Sequence, residues 1–313
     1  MKESHFVKRY AGRIVDYAIN NLPQPLLIPL WTAYCRFKAR RARQAFIQAS
    51  FNPAYLGWQE FDRMQNTYPA VPGSYLDDKQ SVMVRGKHRT AALYRHLVQE
   101  WDALEWFLDL GCWNDMTCMA LKDMGKRTVG IDIRREGFDE DNTEVAQMGW
   151  LQMDASDLGF PNDRFDCAFS FNSFEHFAQP AHVLAEAVRV VRPGGYIYLN
   201  FGPLYWSERG SHQFQTIHIP YHQCLFPQKM LEAYAQINDI NLVDFQWMNE
   251  WHITQYRQLW QGYTSQLERC FYYEKLNINH IDLIEQYPSC FKSKAQDFDN
   301  FLVAYIEVLF RKR

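Results

Sequence analysis

From Glu105 onward, short apolar runs alternate with helical stretches so regularly that few folds can accommodate the chain. The strand-forming runs are WFLDLGC (106–112), TVGIDI (128–133), GWLQMDA (149–155), FDCAFSF (165–171), GYIYLNF (195–201), INLVDFQWM (240–248) and FLVAYIEVLF (301–310). Helical patterns fall between them at 115–125, 139–147, 180–191 and 226–237. Strand, helix and strand in repetition predict a parallel sheet covered by helices on both faces. The RPGG stretch, Arg192 to Gly195, punctuates the approach to the fifth strand, because proline and paired glycines stop a helix and turn the chain.

Two stretches lie outside this rhythm. Residues 1–100 read as a helical N-terminal segment, with patches at 36–49 and 89–100 broken by LPQPLLIP and YPAVPGS. A helical insertion is expected at about 252–297, inside a domain that spans 101–313. Both are rich in aromatic residues, and the whole chain is 16% aromatic, a surplus that suits an aromatic-lined pocket or an interface.

The net charge of −3 conceals an asymmetry. Residues 1–50 hold nine Lys or Arg against Glu3 and Asp16, a net of +7, so the remaining 263 residues carry −10. Five of those basic residues lie in RFKARRAR, Arg36 to Arg43, opposite a helical stripe of Trp31, Cys35, Ala39, Ala42 and Phe46. That pattern fits a solvated face on a packing helix; the alternative is a dock for an anionic membrane or an acidic partner. Nucleic acid is not expected as a partner, since the remainder of the chain is acidic and shows no nucleic-acid module. The seven cysteines form no C-x-x-C pair, no apolar core of a secretion signal is present and no run reaches ~18 apolar residues, so the expected location is cytoplasmic.

The stretch EWFLDLGCWNDMT, Glu105 to Thr117, climbs through an apolar run to Asp109, turns at Gly111 and enters a helical pattern, the way a parallel sheet meets a nucleotide-type cofactor. Trp113 and Asp115 stand where such a loop would hold further glycines, which permit positive φ and close backbone approach. Asp115 could instead cap the helix beginning at Met116.

FLDLGC, VGIDI, QMDASDLGFPNDRFDCAFSFNSFEHF and AHVLAEAVRVVRPGGYIYLNF together resemble, in order and spacing, the class I S-adenosylmethionine-dependent methyltransferases acting on small molecules and glycans. The resemblance covers about residues 104–248, and the final strand fits the family's last, antiparallel one. It implies an α/β, Rossmann-like, seven-stranded, mostly parallel sheet and S-adenosyl-L-methionine as cofactor. On that resemblance Asp109, Gly111 and Trp113 lie in the loop around the methionine part of the cofactor. Asp132 binds the ribose hydroxyls, with Ile133 beside it, where a carboxylate can accept two hydrogen bonds. Asp154 and Ala155 face the adenine, and Phe171 and Asn172 lie beneath the transferred methyl group. Glu175 and His176 match positions that are more often architectural in this family than catalytic.

The connection after the fifth strand, GPLYWSERGSHQFQTIHIPYHQCLF (202–226), is long and leaves the carboxyl end of a strand, where ligands bind. His212 is the candidate catalytic base for deprotonating an acceptor hydroxyl. His218 and His222 are four apart, but Pro220 between them disfavours a regular helix, and no residue is assigned as a metal ligand. The function expected is methyl transfer to an oxygen, less readily a nitrogen, of a small molecule or saccharide. The rival is a methyltransferase fold without catalysis, serving as a scaffold or binding protein.

Overall fold

A computed structural model describes residues 24–70, 79–113, 116–134, 149–239 and 248–313. The helix expected at 139–147, the strand expected at 240–248 except for Met248, and the cap expected from Asp115 lie outside the described residues.

Seven strands form one sheet: β1 (Trp106–Leu110), β2 (Arg127–Asp132), β3 (Trp150–Gln152), β4 (Phe165–Phe171), β5 (Val191–Phe201), β6 (Leu267–Leu276) and β7 (Val303–Lys312). Their order is β3-β2-β1-β4-β5-β7-β6. The first five pair in parallel, and β7 runs antiparallel to both β5 and β6. β1 and β4 are buried along almost their whole length, which is why both read as continuous apolar runs rather than alternating ones. They are also adjacent, although the chain goes from β1 outward to β3 before returning at β4. That reversal leaves a crevice at their carboxyl ends, the place where open α/β sheets bind ligands.

The helices are α1 (Gln24–Lys38), α2 (Arg40–Gln48), α3 (Trp58–Thr67), α4 (Lys79–Leu97), α5 (Met116–Asp123), α6 (Pro180–Val190), α7 (His222–Leu225), α8 (Gln228–Ile237), α9 (Ile253–Gly262), α10 (Asp282–Gln286), α11 (Pro288–Lys292) and α12 (Asp299–Leu302). In α6, Pro180 occupies the first turn, where no intrahelical donor is needed, and Val183, Leu184, Ala187 and Val188 make the buried stripe. RPGG lies within the span of β5. Pairing with β4 jumps from Phe165↔Val191 to Cys167↔Tyr196, so these residues form a bulge instead of a loop ahead of the strand.

The 252–297 stretch differs from the helical insertion read from sequence, for it contains β6 between α9 and α10. β6 is an edge strand of mixed exposure. LERCFYYEKL therefore lacks the apolar periodicity by which buried strands announce themselves.

The N-terminal helices are packed onto this frame. The stripe Cys35, Ala39, Ala42 and Phe46 is buried, and the Phe46 ring lies 5.4 Å from Phe298 and 5.7 Å from Phe301. Arg36 donates to both carboxylate oxygens of Asp299 at 3.0 and 3.2 Å. Asp299 is shared with Arg257, which in turn grips Glu274 of β6 at 2.8 and 2.6 Å. α4 lies against α5, and His96 near its end meets Glu307 of β7 at 2.8 Å. These contacts fasten α1 and α2 to the C-terminal part of the chain and α4 to the sheet beside the crevice.

Candidate active site

The crevice opens into a cavity of about 840 Å³, with walls from β1, β2, β4, β5, α4 and the 202–226 connection. Gly111, Trp113, Asp132, Ile133, Asp154, Ala155, Phe171, Asn172 and His212 all line it. Asp109 does not: it is a 2% exposed residue of the central strand, beneath the loop that carries Gly111.

The wall at the strand ends is a chain of backbone commitments. The N–H groups of Gly111 and Cys112 both donate to the Ile131 carbonyl at 2.9 Å, tying the loop to β2. Gly111 adopts φ 77°, and a Cβ there would come within 2.6 Å of the Ser173 Cβ, so space and conformation both demand glycine. Ser173 closes the turn by donating to the Gly111 carbonyl at 2.7 Å. Trp113, where glycine was missed in the sequence, nonetheless adopts φ 52°. Its N–H donates to Asp132 Oδ2 at 3.0 Å, and the Arg134 guanidinium lies 5.6 Å from its ring centroid. The loop thus takes the left-handed turn without the residue best suited to it, at a cost of about 1–2 kcal/mol that these contacts offset.

Asp132 Oδ1 accepts the Arg134 N–H at 3.0 Å, so the carboxylate is fixed at the end of β2 with its remaining lone pairs on the cavity side. Asp154 is held by Ser156, whose N–H and hydroxyl both donate to Oδ1 at 2.8 Å, while Ala155 behind it is buried. Asn172, at φ 51°, donates its N–H to the Asn200 carbonyl at 2.9 Å and turns the chain away from β4.

The facing wall comes from distant segments. Arg85 and Arg89 reach it from α4, with the Arg89 guanidinium 5.5 Å from the Phe171 ring centroid. Glu175 and His176 follow β4, Arg209, His212 and Phe214 follow β5, and Tyr305 comes from β7. Sequence reading assigned only His212 among these, because no motif links residues this far apart. Glu175 and His176 were visible but carried an architectural interpretation.

His212 Nε2 lies 3.2 Å from the Pro203 carbonyl; a carbonyl only accepts, so Nε2 carries the proton and Nδ1 holds the lone pair. Burial, assisted by the neighbouring His176, holds its pKa down at about 4 despite that hydrogen bond. The imidazole is neutral near pH 7 and a weak proton acceptor, since a general base works best with a pKa close to the operating pH. The ring of His176 stands edge-on to His212 with centroids 5.0 Å apart. Glu175 is wholly buried, and burial pushes its carboxyl above the usual range. His218 and His222 are elsewhere: the His218 N–H meets Gln65 Oε1 at 2.9 Å, and His222 Nδ1 lies 3.0 Å from the Ile219 carbonyl. Neither is on the cavity wall.

Residues 108–199 match a family described as methyltransferase domain. The fatty-acid O-methyltransferase of Mycolicibacterium smegmatis is 34% identical over 79 residues, 24% of this chain and 29% of that protein. The ubiquinone biosynthesis O-methyltransferase of Mesorhizobium japonicum is 29% identical over 132 residues, 34% of this chain and 51% of that one. Among solved structures, the PH0226 protein of Pyrococcus horikoshii aligns over 82% of this chain and all of its own, with 16% identity and a TM-score of 0.46. The chain spans only 29% and 51% of the lengths of these two curated relatives.

Proposed function

We propose that this chain, which through residues 108–199 belongs to the class I S-adenosylmethionine-dependent methyltransferases, transfers a methyl group from S-adenosylmethionine to an oxygen of a small molecule or saccharide. The observation that carries this reading is the convergence of four separate strand ends on one wall, with a glycine that tolerates no Cβ and an anchored carboxylate among them. The wall fits the cofactor. Gly111 leaves the backbone open to close approach, Asp132 keeps lone pairs for a pair of hydroxyls, and Ala155 and Phe171 offer apolar surface for a ring. When bound, S-adenosylmethionine supplies a methyl group activated by its sulfonium.

The protein's own residues then position the acceptor and exclude water. Phe171 and Asn172 belong to the strand-end wall and line the same cavity as the facing wall, so an acceptor resting on the facing wall is presented to them, and such positioning supplies much of the rate of a bimolecular transfer. Transfer to oxygen rather than nitrogen is favoured by analogy with the two O-methyltransferase relatives. A cytoplasmic location accords with seven cysteines that form no disulfide, six of them buried. Among the described residues no helix is long and apolar enough to cross a membrane.

Titration calorimetry with S-adenosylmethionine and its demethylated product tests the reading. Both should release or absorb heat with the native chain, and Asp132→Ala should weaken binding by about 1.5–3 kcal/mol, the range for hydrogen bonds to a charged group. No heat from either ligand would favour the non-catalytic scaffold instead.

A membrane contact is the second part of the proposal. Leu26, Leu30 and Phe37 share one face of α1 and are 57%, 55% and 61% exposed, with Lys38, Arg40 and Arg41 adjoining them. An apolar stripe flanked by cations fits the surface of an anionic bilayer. Co-sedimentation with anionic vesicles should be strong at low salt and fall as salt is raised, and its absence at low salt would leave a solvated helix face.

A further inference from the structure

We infer that Glu175, His176 and His212 form a binding site for one divalent first-row transition-metal cation on the acceptor side of the cavity. Each contributes one ligand atom, and these atoms all lie within 4.8 Å of one another. Among the described residues no other group of three or more His, Cys, Asp or Glu is placed to share an ion. All three line the same cavity, although two follow β4 and the third follows β5.

A metal bound at ~2.0–2.2 Å draws its ligands to roughly 3–4 Å from one another, so the cluster needs to tighten by roughly 1–2 Å at most. Two imidazoles and one carboxylate are a donor set suited to zinc, iron, cobalt or manganese rather than to calcium or magnesium, which prefer oxygen ligands. Three protein ligands also leave coordination positions open toward the cavity.

A second observation points the same way. Glu175 is 1% exposed; Oε1 accepts the Gly202 N–H at 3.0 Å, whereas Oε2 is buried with no hydrogen-bond partner. Leaving a buried carboxylate oxygen unmatched is costly, and a cation satisfies it directly. The surroundings are built to hold the ligands still. The Pro203 carbonyl fixes the tautomer of His212, presenting Nδ1 as the lone-pair nitrogen, the arrangement metal-bound histidines commonly show. The Asn249 N–H donates to the Glu175 carbonyl and the His176 N–H to the Ser173 carbonyl, each at 2.9 Å, pinning the backbone that carries both residues.

The existence of the site is independent of methyl transfer, but its chemical role rests on that reading: the ion would orient the acceptor oxygen and lower the pKa of its hydroxyl.

The full-length chain, stripped with a chelator, should take up one equivalent of Co²⁺ and develop visible ligand-field absorption that Zn²⁺ abolishes by displacement. His212→Asn tolerates the left-handed backbone at φ 61° and removes a ligand; His176→Gln removes another. Each should weaken Co²⁺ binding at least ~10-fold while remaining folded by circular dichroism, so the test does not depend on the buried Glu175. Calorimetry with S-adenosylmethionine on the stripped chain is read in parallel. Heat from the cofactor without Co²⁺ uptake overturns the metal site alone, and Co²⁺ uptake without heat upholds it while overturning methyl transfer. Unchanged uptake in both histidine variants would place the metal elsewhere and overturn the proposal.

Discussion

The two walls of the cavity are built by different means. One is made where β1, β2, β3 and β4 end, where the backbones of Gly111, Asp132 and Asn172 are hydrogen-bonded to neighbouring strands, so these residues have almost no freedom of position. The other is assembled from α4, the segments after β4 and β5, and β7, which meet only after the whole chain has folded. The first wall is specified locally, a few residues at a time. The second depends on long-range packing such as the His96–Glu307 contact and the Arg36–Asp299–Arg257 network. The difference predicts that damage to the strand-end wall acts chiefly on cofactor binding, whereas damage to the facing wall acts first on tertiary stability and acceptor binding.

Gly111→Val is the severest way to break this contrast. The substitution puts a branched side chain at φ 77°, with its Cβ 2.6 Å from Ser173 Cβ and 2.8 Å from Ser173 Oγ. Conformational strain of about 1–2 kcal/mol adds to overpacking of about 1–3 kcal/mol, so the native state should lose roughly 2–5 kcal/mol. Cofactor heat should vanish in whatever fraction remains folded. Denaturant unfolding within ~0.5 kcal/mol of the unmodified chain, together with unchanged cofactor heat, would show that the turn does not need its glycine.

Acid should strike the connection that carries part of the facing wall. His222 is buried at the end of the connection that carries Arg209, His212 and Phe214, and burial holds its pKa down at about 4 against an ordinary 6.5. Between these values the unfolded chain binds a proton that the folded chain does not. Stability is therefore complete above pH 6.5 and declines as pH falls toward 4, by on the order of 3 kcal/mol for this residue. His222→Leu should remove that part of the decline in unfolding measured from pH 7 to pH 4. If both chains lose stability in parallel, the imidazole is not the group responsible.

The same division governs how much could be read from the amino acids alone. Asp132, Asp154 and Asn172 were legible because each sits at a fixed step beyond an apolar run, so a one-dimensional pattern implies a three-dimensional place. Arg85 and Arg89 were not, because nothing along α4 indicates that it will lie beside Phe171. Glu175 and His176 were seen, but their juxtaposition with His212 depends on where two separate connections end. Asp109 was read onto the loop because the motif runs through it. The central strand buries it, and the cavity begins two residues later at Gly111. β6 was missed for an energetic reason: an edge strand needs only half an apolar face, and LERCFYYEKL offers no period to detect.

Trp113→Gly sharpens the comparison with the smallest expected effect, since it changes the one position on the strand-end wall that departs from the pattern. Its φ of 52° is already the conformation glycine would adopt freely, so the substitution relieves about 1 kcal/mol of strain. Against this stand the lost contact with Arg134, worth about 0.5–1 kcal/mol, and a more flexible unfolded chain, worth about 0.4–1 kcal/mol. Global stability should therefore move by less than ~1 kcal/mol. Cofactor affinity is the discriminating readout. An indole that obstructed the cavity would give a gain on removal, as a loop that had abandoned its ligand predicts. The structure favours the opposite sign: Trp113 is 39% exposed, its ring lies beside Arg134, and its backbone N–H is already committed to Asp132 in the turn a ligand requires. Removing it frees the loop without opening anything, and calorimetry should show affinity falling by about 2–5-fold, or ~0.4–1 kcal/mol. A clear rise in affinity would mean that the tryptophan blocks the site, and would shift the balance from enzyme to scaffold.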